Sequence, residues 1–314
     1  MVMRSAFRTL AVATATALVL GAAACSTGSA DDGRDGVDVV AAFYPLKFVS
    51  ERVGGPAVRV TDLVKPGAEP HDLELSPGQV GQLTDADLVV YLKGFQPNVD
   101  EAVDAEGGDR SLDVAGVQPL LDATAGGHEH EGGGEEEHAE KSGKDPHLWL
   151  DPTRLATVAD RLAERLGTVD PTHAADYTAR ARTLRTELEA LDQEYTRRLT
   201  TCQRREIIVS HAAFGYLAQR YKLEQVGLSG LTPEDEPAPQ RLAEVAREAR
   251  EHGATTIFFE TLVSPKVAET IAREVGARTA VLDPIEGLSA DASGDYFSVM
   301  RGNLDALVTA LGCS

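Results

Sequence analysis

The sequence predicts an α/β protein of two Rossmann-like lobes with mostly parallel sheets, joined by one long rigid helix. Two observations predict this class. Short apolar, β-branched runs alternate with helical patterns in both halves of the 314-residue chain, as strands and crossover helices do in parallel sheets. Between the halves, an apolar stripe at helical spacing continues for about 28 residues without a turn signal.

The first 24 residues have the pattern of a secretory signal peptide. Arg4 and Arg8 supply its positive region, and the apolar run 10–20 is too short to span a bilayer comfortably. Cys25 follows at the head of the polar stretch 25–36, an arrangement that resembles the lipobox of bacterial lipoproteins, although Ala22 stands where leucine is more common. We therefore expect an exported chain, anchored to the outer face of the cell membrane by lipid on Cys25, with 25–36 as a flexible tether.

Residues 37–152 are predicted to form the N-terminal lobe. The short run 37–43, apolar and β-branched apart from Asp38, is typical of a strand buried on both faces, and the helical pattern after it ends at Gly54-Gly55-Pro56. The other predicted elements of this lobe are strand 58–63, helix 77–84 with proline in its first turn, and strand 87–91.

Residues 153–200 are predicted to link the lobes. One helix runs to about residue 166, and a longer one begins near Pro171. Its apolar stripe consists of Tyr177, Ala181, Leu184, Leu188, Leu191, Tyr195 and Leu199. A helix about 42 Å long is best explained as a strut that packs along both lobes.

Residues 201–314 repeat the alternation and are predicted to form the C-terminal lobe. The predicted elements are strand 206–210, helix 212–221, strand 225–228, helix 240–252, strand 256–260, helix 265–276, strand 279–282 and helix 295–311. Cys202 and Cys313 lie at the two ends of this lobe. In an exported chain they predict a disulfide, with two buried thiols as the alternative.

Composition restricts the partners. The formal charge of −20, from 50 acidic and 30 basic residues, argues against nucleic acid and favours attraction of cations. Within the stretch 122–144, the run 128–138 holds His128, His130 and His138 among glycines and glutamates, without an apolar residue. We expect a disordered loop there, which either raises the local zinc concentration through weak, loose metal binding or is only a solvated insertion.

Four residues stand just beyond the carboxyl ends of predicted strands or in the loops nearby, where ligands of parallel α/β sheets gather. They are His71, His147, His211 and Asp283. His147 lies between two Asp-Pro pairs, which restrict the backbone around it. Three imidazoles and one carboxylate suit Zn²⁺ better than the all-oxygen shells of Mg²⁺ or Ca²⁺. Ligands so widely scattered form no fixed motif, however, so spacing alone does not establish the site.

The neighbouring candidates are open to two interpretations. Glu69 could reach the metal or hold a water near it, or it could be a surface carboxylate. Asp283 could ligate directly, which we favour, or accept a hydrogen bond behind the ligands. His173 and His252 lie at helix ends, and we expect exposed or capping roles for them.

Motifs along essentially the whole predicted mature chain resemble the metal-binding lipoproteins of bacterial ABC importers, in the zinc and manganese branch (cluster A-I) of the substrate-binding proteins. They are Pro70-His71-Asp72, 145–152 (Asp-Pro-His-Leu-Trp-Leu-Asp-Pro), 210–216 (Ser-His-Ala-Ala-Phe-Gly-Tyr), Ser264-Pro265-Lys266 and Leu282-Asp283-Pro284. The resemblance implies a metal ion in the cleft between the lobes, the four ligands named above, and an ABC permease as partner. Zinc members carry histidine at the third ligand position, so His211 indicates Zn²⁺, with Mn²⁺ as runner-up.

Three other functions stay open at this stage. One is a manganese- or iron-specific member of the same family. Another is a zinc hydrolase with Glu69 as general base, although the chain has no His-Glu-x-x-His motif and no nucleophile elbow. The third is an adhesin or metal buffer without a transporter. The prediction is a monomeric zinc carrier that is not an enzyme.

Overall fold

The computed structural model describes residues 36–123, 143–234 and 236–314. The predicted signal peptide, Cys25 and the loop histidines His128, His130 and His138 lie outside the described residues. The described strands are β1 Val37–Ala41, β2 Val58–Asp62, β3 Leu88–Tyr91, β4 Ser111–Asp113, β5 Glu206–Val209, β6 Glu224–Gly227, β7 Thr256–Phe259 and β8 Arg278–Val281. The described helices are α1 Tyr44–Gly54, α2 Pro77–Asp85, α3 Pro97–Ala102, α4 Pro152–Val169, α5 Ala174–Arg198, α6 Gly215–Tyr221, α7 Pro239–Glu251, α8 Lys266–Val275 and α9 Tyr296–Leu311. None of these helices combines the length and the apolar character needed to cross a membrane.

The strands form two four-stranded sheets, and every pairing within them is parallel. The strand orders are β2-β1-β3-β4 and β6-β5-β7-β8. In each sheet the chain moves outward in both directions from the central pair, and such a reversal opens a crevice beyond the carboxyl ends of those strands. The predicted architecture of two parallel α/β lobes is confirmed.

Local sequence explains the elements nearest the crevice. In β1, Val39, Val40 and Ala41 are buried because β2 and β3 pair on either side of the strand and α1 packs against it, as the largely apolar run predicts. Helix α2 begins with a capping box in which Ser76 and Gln79 exchange side-chain and backbone hydrogen bonds. This cap fixes the end of the loop that follows β2.

The long helix α5 has 25 residues and contacts both lobes. On the N-terminal side, Arg52 of α1 donates to Glu187 at 2.6 Å. On the C-terminal side, the Tyr195 hydroxyl donates to the Met300 carbonyl of α9 at 2.5 Å. The predicted apolar stripe is buried along α5, and α4 packs beside it. The helix is therefore the strut that the sequence predicts.

Two apolar cores support the sheets. The larger runs from β1 and α1 through α4 and α5 into α6 and α9, so the two lobes share it. The smaller lies between the C-terminal sheet and helices α7 and α8. Opening the lobes widely would expose part of the shared core, which is unfavourable because apolar surface would return to water.

The structure adds two elements that the sequence pattern did not predict, α3 and β4. Strand β4 is only three residues long, and its single fully buried residue is Leu112. Such a short segment has too little periodicity to be detected.

The predicted disulfide between Cys202 and Cys313 is present. The two residues also form an isolated antiparallel bridge, which fastens the end of α9 to the segment after α5. The C-terminal lobe is therefore closed covalently at its two ends.

Removing this disulfide should destabilise the protein. The bond closes a sequence separation of 111 residues, and loss of such a crosslink typically lowers the free energy of unfolding by about 2 to 4 kcal/mol. We expect Cys202→Ser with Cys313→Ser to unfold at lower urea concentration, as followed by circular dichroism. The unsubstituted chain under reducing agent is the matched control; equal midpoints for the oxidised chain and the double variant would contradict the expectation.

Candidate metal centre

Four buried side chains from both lobes meet beyond the carboxyl ends of the sheets. They are His71 after β2, His147 between β4 and α4, His211 after β5, and Glu286 after β8. One donor atom from each lies within 4.8 Å of all the others. His147 and Glu286 are 0% and 1% exposed. Three of the predicted ligands are thus together, and the fourth place belongs to a residue that the sequence analysis did not name.

The distances from Glu286 to the three imidazole nitrogens are close to donor separations around a tetrahedral ion. Oε1 of Glu286 lies 3.2, 3.0 and 3.1 Å from Nε2 of His71, His147 and His211. A tetrahedral ion with bonds of about 2.0 Å holds its donor atoms about 3.3 Å apart. The other oxygen of Glu286, Oε2, is buried without a hydrogen-bond partner among the described residues. The carboxylate therefore has unused capacity to bind a cation.

Two further carboxylates hold the imidazole rings from behind. Nδ1 of His147 lies 2.8 Å from Oδ1 of Asp145, and Nδ1 of His211 lies 2.8 Å from Oε1 of Glu260. A carboxylate at Nδ1 fixes the tautomer that leaves the Nε2 lone pair for a metal. The approach of Asp145 depends on Gly215 at the start of α6, where a Cβ would lie 2.6 Å from Asp145 Oδ2.

Aromatic rings shield part of the group from water. The ring of Phe95 packs edge-on against His71 at 4.5 Å between centroids, and Trp149 packs against His147 at 5.3 Å. Trp149 is itself fixed, because its indole N–H donates to the Pro284 carbonyl at 2.7 Å. These rings lower the local dielectric, so charges in the group interact more strongly than they would in water.

The buried carboxylates determine the protonation of the group. Burial opposes the charged form of His211, but the charges of Glu286 and Glu260 outweigh it and raise the pKa of His211 to about 10. Burial likewise opposes the charged form of His147, and hydrogen bonds to Asp145 and Glu286 overcome it, so the pKa of His147 is raised. For Glu286, burial favours the neutral acid, but the charge of His211 and hydrogen bonds from the three rings hold its pKa well below the usual range.

Asp283 does not belong to the four-residue group. Its Oδ1 accepts from the backbone N–H of Ile285 at 2.7 Å, and its Oδ2 accepts from the Thr261 hydroxyl at 2.6 Å. The carboxylate that meets the imidazoles is that of Glu286, three residues further on. A signal for it exists in the sequence, because Glu286 is the single charged residue in the otherwise apolar run 284–288.

The other candidate residues lie around or away from the group. Glu69 accepts from the backbone N–H of His71 at 2.9 Å, which shapes the loop that carries this histidine. Burial, and next the charge of Glu286, raise the pKa of Glu69 to about 9. His173 and His252 are half exposed and paired with Asp170 and Glu206, as expected for residues at helix ends.

A cavity of about 860 Å³ opens beside the group. Of the four donors it touches only His71, and its walls include Phe95 and Pro146 of the N-terminal lobe and Leu231 of the C-terminal lobe. The cavity therefore lies between the lobes and leads to the donors past His71.

Two parallel α/β lobes with a donor group between them have the architecture of two-lobed substrate-binding proteins. Residues 39–310 match the family described as "ZnuA: Zinc-uptake complex component A periplasmic", and the chain belongs to this family. It is 35% identical over 284 residues to the "Zinc-binding protein AdcA" of Streptococcus pyogenes serotype M6, with 86% of this chain and 55% of the relative covered. It thus spans about half the length of that relative.

Two further likenesses cover nearly whole chains. The "High-affinity zinc uptake system protein ZnuA" of Bacillus subtilis is 33% identical over 288 residues, with 90% of each chain covered. The crystal structure of the Zn(II)-bound ZnuA-like domain of Streptococcus pneumoniae AdcA matches with a TM-score of 0.73 and 30% identity, covering 88% of this chain and 99% of that one.

The protonation of His211 can be measured in the metal-free protein. With a folded pKa of about 10 above an unfolded value of about 6.5, its proton stabilises the fold fully below about pH 6.5, and this stabilisation is lost as the pH rises towards 10. We expect ring NMR signals of chelator-treated protein to show His211 as imidazolium at neutral pH. Glu286→Gln should lower this pKa; a ring already neutral at pH 7 would contradict the electrostatic argument.

Proposed function

We propose that this chain captures Zn²⁺ with His71, His147, His211 and Glu286 and delivers it to an ABC permease for import. The observation that carries the proposal is the convergence of these four buried donors from two lobes, with one carboxylate oxygen 3.0 to 3.2 Å from three imidazole nitrogens. Both the donor types and these separations suit tetrahedral Zn²⁺.

The choice of zinc over manganese rests on the same donors. Three neutral nitrogen ligands favour Zn²⁺, whereas Mn²⁺ prefers oxygen ligands and six-coordinate geometry. The relatives reported above are named for zinc binding or zinc uptake, which supports the same ion. Mn²⁺ is the runner-up cargo.

We propose binding rather than catalysis. A catalytic zinc usually has three protein ligands and an open place for water, whereas here Glu286 would supply a fourth ligand beside the three histidines. The aromatic cover over His71 and His147 also restricts the entry of a substrate larger than an ion. The cavity of about 860 Å³ beside His71 has room for a hydrated ion.

The sequence and the family support a proposal for the cellular setting. We propose a monomer exported from the cytoplasm and held at the outer face of the cell membrane by lipid on Cys25. The acidic chain attracts cations, and the histidines His128, His130 and His138 would add weak sites that raise the local zinc concentration. Delivery of zinc to the permease can be measured by comparing zinc accumulation in cells that have the chain and in cells that lack it.

Stoichiometry tests the proposed cargo. Native mass spectrometry with elemental analysis should find one zinc per chain and little manganese. Glu286→Gln should weaken zinc binding by about 100-fold or more, because loss of a hydrogen-bond partner behind the ligands already costs roughly 10- to 100-fold. Glu269→Gln, on the exposed face of α8, is the matched control. Full zinc occupancy of the Glu286 variant in the presence of a competing chelator would refute the ligand set.

The pH dependence of zinc binding tests the protonation of the ligands. Zinc must displace the His211 proton, whose pKa is about 10 in the metal-free chain, so zinc affinity should rise with pH through neutrality. The expected slope is about tenfold per pH unit for each proton displaced. Calorimetry in buffers of different ionisation enthalpy should show release of at least one proton per zinc at neutral pH. A zinc affinity that does not change with pH would show that the ligands are already deprotonated.

A further inference from the structure

The backbone of Ile285, directly before Glu286, has a conformation that isoleucine rarely adopts. Its φ is +59°, and Lys222 is the other non-glycine residue with positive φ among the described residues. A branched Cβ crowds the backbone in this left-handed region, so the conformation persists only where the surroundings impose it. Ile285 is 0% exposed and belongs to the larger apolar core. The side chain is thus anchored while the backbone is strained.

Hydrogen bonds of Asp283 also hold the backbone of Ile285 in this conformation. Its Oδ1 accepts from the Ile285 N–H at 2.7 Å, which is the hydrogen bond of an Asx turn. Its Oδ2 accepts from the Thr261 hydroxyl at 2.6 Å. The backbone of Asp283 is held as well, because Asn303 accepts from its N–H at 2.9 Å and donates to its carbonyl at 2.7 Å. Both carboxylate oxygens of Asp283 are therefore held by hydrogen bonds within the protein.

The residues on either side of Glu286 are also fixed, and by the opposite lobe. The Pro284 carbonyl accepts from the indole of Trp149 at 2.7 Å, and the Leu288 carbonyl accepts from the Gly67 N–H at 2.8 Å. Between them, a Cβ on Gly287 would lie 3.4 Å from the Ala68 carbonyl oxygen. The turn 283–288 therefore contacts the segments that carry both His71 and His147.

We propose that Asp283 is a positioning residue. Its Asx turn holds the strained Ile285 backbone and so aims the Glu286 carboxylate at the three imidazoles, which sets the preference for a four-coordinate ion. This inference rests on the proposed function for its metal readouts. It differs from direct ligation by Asp283, because it assigns both carboxylate oxygens to hydrogen bonds within the protein.

The link to selectivity is geometric. A carboxylate held with one oxygen 3.0 to 3.2 Å from three nitrogens is spaced for bonds of about 2.0 Å in a tetrahedron. If the turn no longer held it, the Glu286 carboxylate could move away from the imidazoles, bind the ion through both oxygens or leave room for a water ligand. A site with more ligands suits six-coordinate Mn²⁺ better than four-coordinate Zn²⁺. Loss of the turn should therefore lower the affinity for Zn²⁺ more than it lowers the affinity for Mn²⁺.

Two substitutions separate positioning from ligation. Asp283→Asn keeps an oxygen that can accept from the Ile285 N–H, but it removes the charge that a ligand would supply. Asp283→Ala removes the acceptor altogether. Asp291→Ala, in the exposed part of the same loop, is the matched control, and thermal unfolding monitored by circular dichroism identifies any variant that fails to fold.

The measurements are competitive titrations with Zn²⁺ and Mn²⁺ and the visible absorption of bound Co²⁺, which is strong in tetrahedral and weak in six-coordinate sites. We expect Asp283→Ala to lose about tenfold in zinc affinity, to lose part of its zinc preference and to weaken the Co²⁺ absorption. Asp283→Asn should behave like the unsubstituted chain. Equal losses in both variants would establish direct ligation, and an unchanged Asp283→Ala would show that the turn does not need this carboxylate; either result overturns the proposal.

A metal-free readout keeps the inference separate from the proposed function. In chelator-treated protein, the ring-nitrogen NMR signals of the three histidines report their contacts with Glu286. Asp283→Ala should shift all three sets of signals, and Asp283→Asn should leave them in place. If the unsubstituted chain bound no zinc, the proposed cargo would fail, while this comparison would still decide whether Asp283 aims Glu286.

Discussion

The buried carboxylate of Glu286 is the constraint on which the arrangement of the two lobes depends. Its Oε1 faces three imidazole nitrogens, two from the N-terminal lobe and one from the C-terminal lobe, and it is 1% exposed. An isolated buried carboxylate would be too costly to keep ionised, so Glu286 stays charged only while positive charge is beside it. In the metal-free chain the proton on His211, whose pKa is raised to about 10, supplies that charge at neutral pH. The same chemistry that attracts a cation therefore also holds the cleft together without one.

The second constraint is the shared core. Because the larger apolar cluster runs from the N-terminal sheet through α4 and α5 into α6 and α9, the strut is part of the packing of both lobes rather than a free linker. Its polar contacts add to this, with Arg52 to Glu187 on one side and Tyr195 to Met300 on the other. Metal exchange is consequently better accommodated by the loops that carry the donors than by a wide hinge motion of the lobes.

Much of the fold could be predicted from the sequence because its signals are local. Alternating strand and helix patterns fix the parallel lobes, and the stripe from Tyr177 to Leu199 fixes the strut. The three histidines were identifiable because they follow strands or lie between rigid Asp-Pro pairs. Glu286 was missed for a physical reason: Asp283 stands in the more obvious position after β8, and the turn that carries the chain on to Glu286 depends on a positive φ at Ile285, which an isoleucine does not reveal. Of the carboxylates behind the rings, Asp145 lies only two residues before His147, whereas Glu260 is 49 residues from His211 and its role depends on a tertiary contact that no local pattern shows.

The charges explain why a divalent cation suits this site. Three carboxylates, those of Glu286, Asp145 and Glu260, contact the imidazole group. The pKa values of His147 and His211 are both raised beside these carboxylates, so both rings hold a proton more tightly than free histidine does. A divalent ion that displaces those two protons brings in as much positive charge as leaves, and the net charge of the buried group does not change. A monovalent ion that displaced both protons would leave the buried carboxylates with one positive charge fewer. The exchange of two protons for one divalent ion is therefore the substitution that the buried group accommodates at the least electrostatic cost.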